Sequence, residues 1–302
     1  MRTIVIALVQ FLFSLTVLNG QNVKQTDVYK EKGKAAALFV IGQAYINGTN
    51  GKEVDLEKGI YFIRKSAELN YERAQSFLGC MYYEGIGCKV DKRKAFDYFV
   101  KSAKRGNEKS QFLLAYMYAE GDGVEQNKKL AFYWMNKSGI NGYIDAYFYL
   151  GKWYSVGEVF PRDMDKSIYW YKRSAENGNN EAKLTLGLIY YHGEGVLIDM
   201  KEAYDWFYKS ALDGNAEAQL YVGLMYSKGD GVLKNDKVAF SWIKKSAENG
   251  NAQAQCNVGV KYLYGDGVAV DKSMAAYWIK KAYENGYKNA KTIWDENRLW
   301  EY

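Results

Sequence analysis

The sequence is poor in several residue types, and each scarcity excludes something. Its 302 residues include one proline, Pro161, so the punctuation between elements must come mainly from the 29 glycines. No Pro-rich or Ser/Gly-rich stretch marks an interdomain linker. A single histidine, His192, cannot supply a His-rich zinc site. Neither the three cysteines nor any serine lies in a recognisable nucleophile motif. Charge of either sign is also in short excess. The net charge is +6, spread along the chain, whereas nucleic-acid binding calls for a concentrated basic face.

What is abundant is apolar and aromatic. Hydrophobic residues make up 48% of the chain, enough for a continuous core, and 28 of the aromatics are tyrosine. The first twenty residues stand apart. Arg2 precedes an apolar run from Ile4 to Leu18, interrupted by Gln10, Ser14 and Thr16, and then Leu18-Asn19-Gly20 leads into a polar stretch from Gln21. A basic start, a short apolar middle and a small final residue predict a secretory signal peptide over residues 1–20, cut after Gly20. A retained anchor is the alternative, although the run is shorter than the ~20 residues of a spanning helix. No later segment is long and apolar enough to span a bilayer. Loss of Arg2 lowers the net charge to +5. Residues 21–34 are polar and are expected to be poorly ordered.

The rest of the chain repeats itself every 36 residues. Gly79, Gly151, Gly187, Gly223 and Gly259 share one position, with Ala115 in the remaining slot. Three residues on, Tyr82, Tyr118, Tyr154, Tyr190, Tyr226 and Tyr262 form a second column, which Gly42 and Tyr45 extend backwards with one extra loop residue. A third column is Phe62, Tyr98, Trp134, Trp170, Trp206, Trp242 and Trp278. A fourth holds Ala67, Ala103, Gly139, Ala175, Ala211 and Ala247, broken at Tyr283.

One repeat shows the plan. Ala182, Leu186, Gly187 and Tyr190 share a face at the 3.6-residue period, so they predict a helix. Gly193-Glu194-Gly195 ends it. Asp199 is a good N-cap for a second helix, whose apolar stripe is Ala203, Trp206, Phe207 and Ala211. Gly214 then suits a left-handed C-terminal position. The glycine column is expected to let the paired helices approach closely, with the Trp206 column filling the space beside it. No pair can bury its own face alone, so the pairs must stack. The Gly-x-Gly turns follow helices rather than strands, so they are not dinucleotide or phosphate loops.

The order Leu186-Gly187-Leu188-Ile189-Tyr190-Tyr191-His192-Gly193-Glu194-Gly195-Val196, followed by Asp199, Ala203 and Trp206, resembles the Sel-1-like repeat, a relative of the tetratricopeptide repeat. The resemblance runs from about Ala37 to Gly286. It implies an all-α fold, a right-handed α-solenoid of tandem antiparallel helix pairs that acts as a scaffold or adaptor for proteins. The expected repeats are 35–70, 71–106, 107–142, 143–178, 179–214, 215–250 and 251–286, with a capping helix in 287–302 running from Lys288 to about Trp300. Repeat one has Gly48-Thr49-Asn50-Gly51 in place of the usual turn, and repeat four has Gly157-Glu158-Val159-Phe160-Pro161.

Function is expected to be binding of a protein or peptide, without cofactor or metal and without catalysis. The first-helix positions two before, one after and five after the glycine vary between repeats and lie opposite the core. By analogy with related solenoids they line the concave groove. Phe77, Tyr116, Tyr149, Lys152, Leu188, Tyr221 and Leu224 are the candidate contacts. Burial of these side chains against neighbouring repeats is the competing account. Cys80 and Cys88, eight apart in one hairpin, could form a disulfide after export or stay free, and Cys256 is expected to be a buried thiol. Cysteine-rich relatives with a cysteine pair in every repeat include proteins described as penicillin-binding or β-lactamase-like. This chain lacks that regular pairing, so a hydrolase is a secondary alternative, as is a purely structural part of an envelope assembly. A periplasmic or secreted bacterial location is the preferred expectation, with the endoplasmic reticulum lumen as the other exported option.

Overall fold

The computed structural model describes residues 31–157 and 161–302. The expected signal peptide and its cut after Gly20 lie outside the described residues. Fifteen α-helices occur among the described residues. In chain order they are α1 (Glu31–Asn47), α2 (Leu56–Glu68), α3 (Glu72–Glu84), α4 (Lys92–Lys104), α5 (Glu108–Glu120), α6 (Lys128–Ile140), α7 (Ile144–Val156), α8 (Met164–Glu176), α9 (Asn180–His192), α10 (Met200–Leu212), α11 (Ala216–Lys228), α12 (Asp236–Glu248), α13 (Ala252–Tyr264), α14 (Lys272–Glu284) and α15 (Asn289–Glu296). A 3-10 turn, Leu299–Glu301, follows. The fold is an all-α array of tandem helix pairs, and odd-numbered helices are the first of each pair. It forms two compact units, one up to Ala146 and one from Tyr147, so the division falls in the first turn of α7.

The capping chemistry that the sequence carries is what sets the helix lengths. At the start of each second helix the side chain of Asp55, Asp91, Asn127, Asp163, Asp199, Asn235 or Asp271 accepts the amide three residues on. The backbone amide of the same residue donates to the carbonyl of the column tyrosine, as in Asp199 to Tyr190 at 3.0 Å. One residue thus ends the turn and begins the next helix. Gly193 closes α9 at φ 70°, a left-handed value that costs other residues energy.

The glycine column does bring paired helices together, but the tryptophan column is not what meets it. A Cβ on Gly187 would lie 2.5 Å from the Phe207 ring, and one on Gly79 would lie 2.5 Å from that of Phe99. The facing residue is therefore the one after the column aromatic: Ile63, Phe99, Tyr171, Phe207, Ile243 and Ile279. The column aromatics lie one helical step round. Phe62 and Tyr98 stack on the column tyrosines Tyr45 and Tyr82, each at 5.7 Å. A step of one residue turns a side chain by about 100° on a helix, which separates the two roles.

Two buried polar devices repeat inside the core. The serine before the small-residue column, Ser174 excepted, bonds back to the first helix of its own pair. Ser102 donates to the Glu72 carbonyl and Ser138 to that of Glu108, both at 2.7 Å, and Ser246 donates to that of Ala216 at 2.5 Å. A glutamine on the next first helix reaches the preceding second helix. Gln111, Gln219 and Gln255 donate to the carbonyls of Ala103, Ala211 and Ala247, each at 3.1 Å. Their Oε1 atoms accept from Asn141, Asn249 and Asn285 at 2.8–2.9 Å. Both ends of each of these three glutamine amides are paired, which is the condition for burying them at little cost.

The ends depart from expectation. Helix α1 begins at Glu31, inside the segment expected to be poorly ordered. The C-terminal cap is not one helix to Trp300. Helix α15 stops at Glu296, Arg298 turns left-handed at φ 51°, and Leu299 is carried to full burial beside Ala276, Ile279 and Ala282. Burial of one leucine side chain, worth roughly 1.5–3 kcal/mol, outweighs continuing a helix of few residues.

Candidate functional site

The candidate stripe runs along the first helices. On α9 it is Glu181, Thr185, Leu188 and His192, and on α11 it is Glu217, Tyr221, Leu224 and Lys228, spaced by three or four residues so that each set shares one face. The ends of each set are exposed and the middle residues are half-buried.

In the first unit, Phe77 is half-buried, edge-on to Phe39 at 6.0 Å. Tyr116 is half-buried, and that burial raises its phenol pKa, with Glu120 and Asp122 adding to the effect. Beside them Cys80 and Leu113, also on the stripe, are buried. In the second unit, Tyr149 is half-buried against the edge of Phe148 at 6.0 Å, and Lys152 is exposed. Leu188 packs partly against the cluster around Phe207. Tyr221 lies flat on Phe207, with ring centroids 4.5 Å apart and planes 4° apart, and meets the edge of Tyr191. Burial and the Glu217 carboxylate raise its phenol pKa. Leu224 packs partly against the next cluster, around Leu220 and Val258. Stacking between Phe207 and Tyr221, worth about 0.5–1.5 kcal/mol beyond area burial, holds the tyrosine ring in one orientation.

The other candidate groups are placed as follows. His192 is exposed at the end of α9, edge-on to Tyr191. Cys80 is buried on α3. Cys88 sits in the following turn with its Sγ donating to the Met81 carbonyl at 3.6 Å, and the two are separate thiols. Desolvation raises the Cys80 thiol pKa, and it pushes that of Cys256 up to about 11. Among the described residues no group of three or more His, Cys, Asp or Glu side chains could hold a metal ion, and no helix is long and apolar enough to cross a membrane.

Two features escaped the sequence reading. The column aromatic of the second helices carries a cation three residues on: Lys101 over Tyr98, Lys137 over Trp134, Lys209 over Trp206 at 4.1 Å, Lys245 over Trp242 and Lys281 over Trp278. The i, i+3 spacing was a signal for it. The second turn glycine, at Gly87, Gly123, Gly195, Gly231 and Gly267, makes a seam with the preceding repeat. A Cβ on Gly123 would lie 2.8 Å from the Lys92 carbonyl oxygen, and Gly195 abuts the side chain of Met164. Asp122, between Gly121 and Gly123, adds an ionic clip, accepting from the Tyr83 hydroxyl at 2.5 Å and pairing with Lys92 at 2.6 Å.

Comparison with known proteins fits this geometry. The model of the Sel1 repeat matches residues 35–71, 72–107, 108–143, 144–179, 181–215, 216–251 and 252–287. Comparison with curated proteins gives no match. Among solved structures, a protective antigen present in uropathogenic Escherichia coli strains, which displays an SLR fold, is 33% identical with a TM-score of 0.82 over 88% of this chain and 58% of its own. This chain thus spans 58% of that relative's length. A Sel1 repeat protein from Oxalobacter formigenes is 29% identical with a TM-score of 0.63, over 84% of this chain and 99% of its own.

Proposed function

The chain belongs to the Sel1 repeat family, a fold that typically mediates protein–protein interactions, and from that premise we propose that it is an exported scaffold that binds a peptide or protein segment along its first-helix stripe. The observation that carries this proposal is the state of the stripe's aromatic and aliphatic side chains. Phe77, Tyr116, Tyr149, Leu188, Tyr221 and Leu224 are half-buried rather than sealed, each with part of its surface left toward solvent. A ring already held on one side, as Tyr221 is by Phe207, loses little conformational entropy when a partner covers the other. Lys152, exposed three residues after Tyr149 on α7, supplies a charge for orientation.

Export is supported by the apolar run from Ile4 to Leu18 after Arg2. The Escherichia coli relative is a protective antigen, and that role supports the reading of this chain as exported. N-terminal sequencing of the secreted or periplasmic protein is expected to begin at Gln21.

The binding site is tested by photo-crosslinking in the native host. A photoreactive amino acid at Lys152 or Leu188 is expected to trap a discrete partner, whereas the same group at Lys237, exposed on α12, is not. Equal labelling at all three positions would overturn the stripe as the binding face.

A further inference from the structure

Of the four glutamines at this register, Gln75, Gln111, Gln219 and Gln255, one lacks its asparagine partner. Gln75, on α3, donates its Nε2 to the Ala67 carbonyl at 3.3 Å and to Asn70 Oδ1 at 3.5 Å. The bond to the alanine carbonyl is the one that Gln111, Gln219 and Gln255 also make, so it fixes which end of the amide is oxygen. The Oε1 of Gln75 has no donor, although the residue is 2% exposed. Elsewhere the donor is the asparagine thirty residues on, and here that position holds Arg105.

A cavity of about 250 Å³ lies against this glutamine, between α2 and α4. Its lining includes Arg64, Glu68, Asn70, Tyr98 and Lys101. Two of these are local departures from the repeat. Asn70 stands at φ 62° where other repeats have glycine, so a carboxamide replaces a bare backbone. Tyr98 takes the place of the tryptophan of later repeats. Arg64 keeps the cation found at the same register as Lys172, Lys244 and Lys280. Glu68 is already paired with Lys65 at 3.0 Å, while neither Arg64 nor Lys101 has a carboxylate in ion-pair range among the described residues.

We propose that this cavity binds a small hydroxycarboxylate, with the carboxylate on Arg64 and Lys101 and a ligand hydroxyl donating to Gln75 Oε1. A buried acceptor left unpaired costs about 1–3 kcal/mol, so a site that supplies its missing donor has a built-in preference. The donor is neutral rather than an ammonium because two cations already share the cleft. The volume is many times that of one water and lies just below the ~300–1,000 Å³ of drug-sized pockets, which suits a ligand the size of a monosaccharide acid. Gln75 Oε1 is itself covered, so the ligand hydroxyl reaches it as the exposed side chains of Arg64, Asn70 and Lys101 swing aside, a motion of picoseconds to nanoseconds.

Titration calorimetry on the full mature chain tests this with D-glucuronate, D-glucose and acetate as probes. Glucuronate is expected to bind at one site, with glucose (no carboxylate) and acetate (no hydroxyl) each at least about tenfold weaker. Arg105→Asn restores the asparagine found in other repeats, so it is expected to raise Tm and weaken glucuronate at least about tenfold. Lys101→Ala, at an exposed position, is expected to weaken glucuronate without lowering Tm by more than a few degrees. No glucuronate binding, acetate binding as tightly as glucuronate, or affinity unchanged in both variants would each overturn the proposal.

Discussion

Replacing Gly187 with alanine puts one methyl group where the structure has no room. The new Cβ would sit 2.5 Å from two Phe207 ring carbons and 2.9 Å from a third. Phe207 cannot yield, because it is fully buried and its other side is stacked on Tyr221 at 4.5 Å. Overpacking of this kind costs typically about 1–3 kcal/mol, while alanine recovers about 1 kcal/mol of helix propensity over glycine. The expected net loss is therefore about 0–2 kcal/mol, and that single number would be weak evidence. The third repeat offers a sharper design, because there Ala115 stands at the glycine position and Met135 at the phenylalanine position, both buried. Phe207→Met alone should lose ring stacking and leave space, at about 1–2 kcal/mol. The double variant Gly187→Ala/Phe207→Met copies the third repeat's solution, so it is expected to be more stable than the two single losses added together. A coupling of at least about 1 kcal/mol is expected for residues in contact. Urea unfolding followed by circular dichroism and tryptophan fluorescence measures all four proteins, with coincidence of the two probes checked first, since tandem repeats can unfold in parts. Additivity to within about 0.5 kcal/mol would show that the glycine and the phenylalanine are not fitted to each other.

Other outcomes follow from the same contacts. Asn249→Ala removes the donor to Gln219 Oε1 and is expected to cost about 1–3 kcal/mol, read as a lower urea midpoint and faster amide exchange in α11 and α12. The amide of Lys58 beside Asp55, the amide of Lys94 beside Asp91 and the ammonium of Lys166 beside Asp163 hold these carboxyls below the usual range. A depressed native pKa stabilises above the unfolded value of about 3.9 and is lost as pH falls through the native one, so Tm should drop below about pH 4. Asparagine at all three sites, the cap used at Asn127 and Asn235, should flatten that drop and change Tm little at pH 7. At pH 7.5 an alkylating reagent should modify Cys88 well before the buried Cys80 and Cys256, whose raised pKa values keep them protonated, and all three should react after unfolding. A native protein in which Cys80 and Cys88 resist alkylation until reduced would reverse that order.

Much of the array was legible in the sequence because its signals are local and repeated. Seven Asp or Asn residues at one register became seven side-chain caps, since a cap needs only a short acceptor and an amide three residues on. Which side chain meets the glycine was misjudged. Trp206 is the larger residue and its column is more regular, but direction on a helix depends on a single residue step, and Phe207 points at Gly187. The candidate stripe was visible as a variable face. How far each ring is covered was not, because cover comes from the neighbouring repeat, as Phe207 covers Tyr221. The unpaired Gln75 oxygen was hidden for a similar reason. Its partner lies thirty residues away, and the substitution of Arg105 matters only once that pairing is known.

The seam glycines also bear on how the array is made and rearranged. A second helix such as α4 holds its serine bond with the hairpin it belongs to, but receives the glutamine and the turn glycine from the hairpin that follows. A chain emerging from the ribosome therefore always trails one hairpin that awaits its successor, and synthesis should finish each one about 36 residues late. Genetic exchange of a whole repeat keeps its interior but replaces both seams at once. Crossovers placed after a second helix's first turn and before the next seam glycine would divide the partners, whereas joints that carry a second helix together with the following first helix and turn would pass on a matched set.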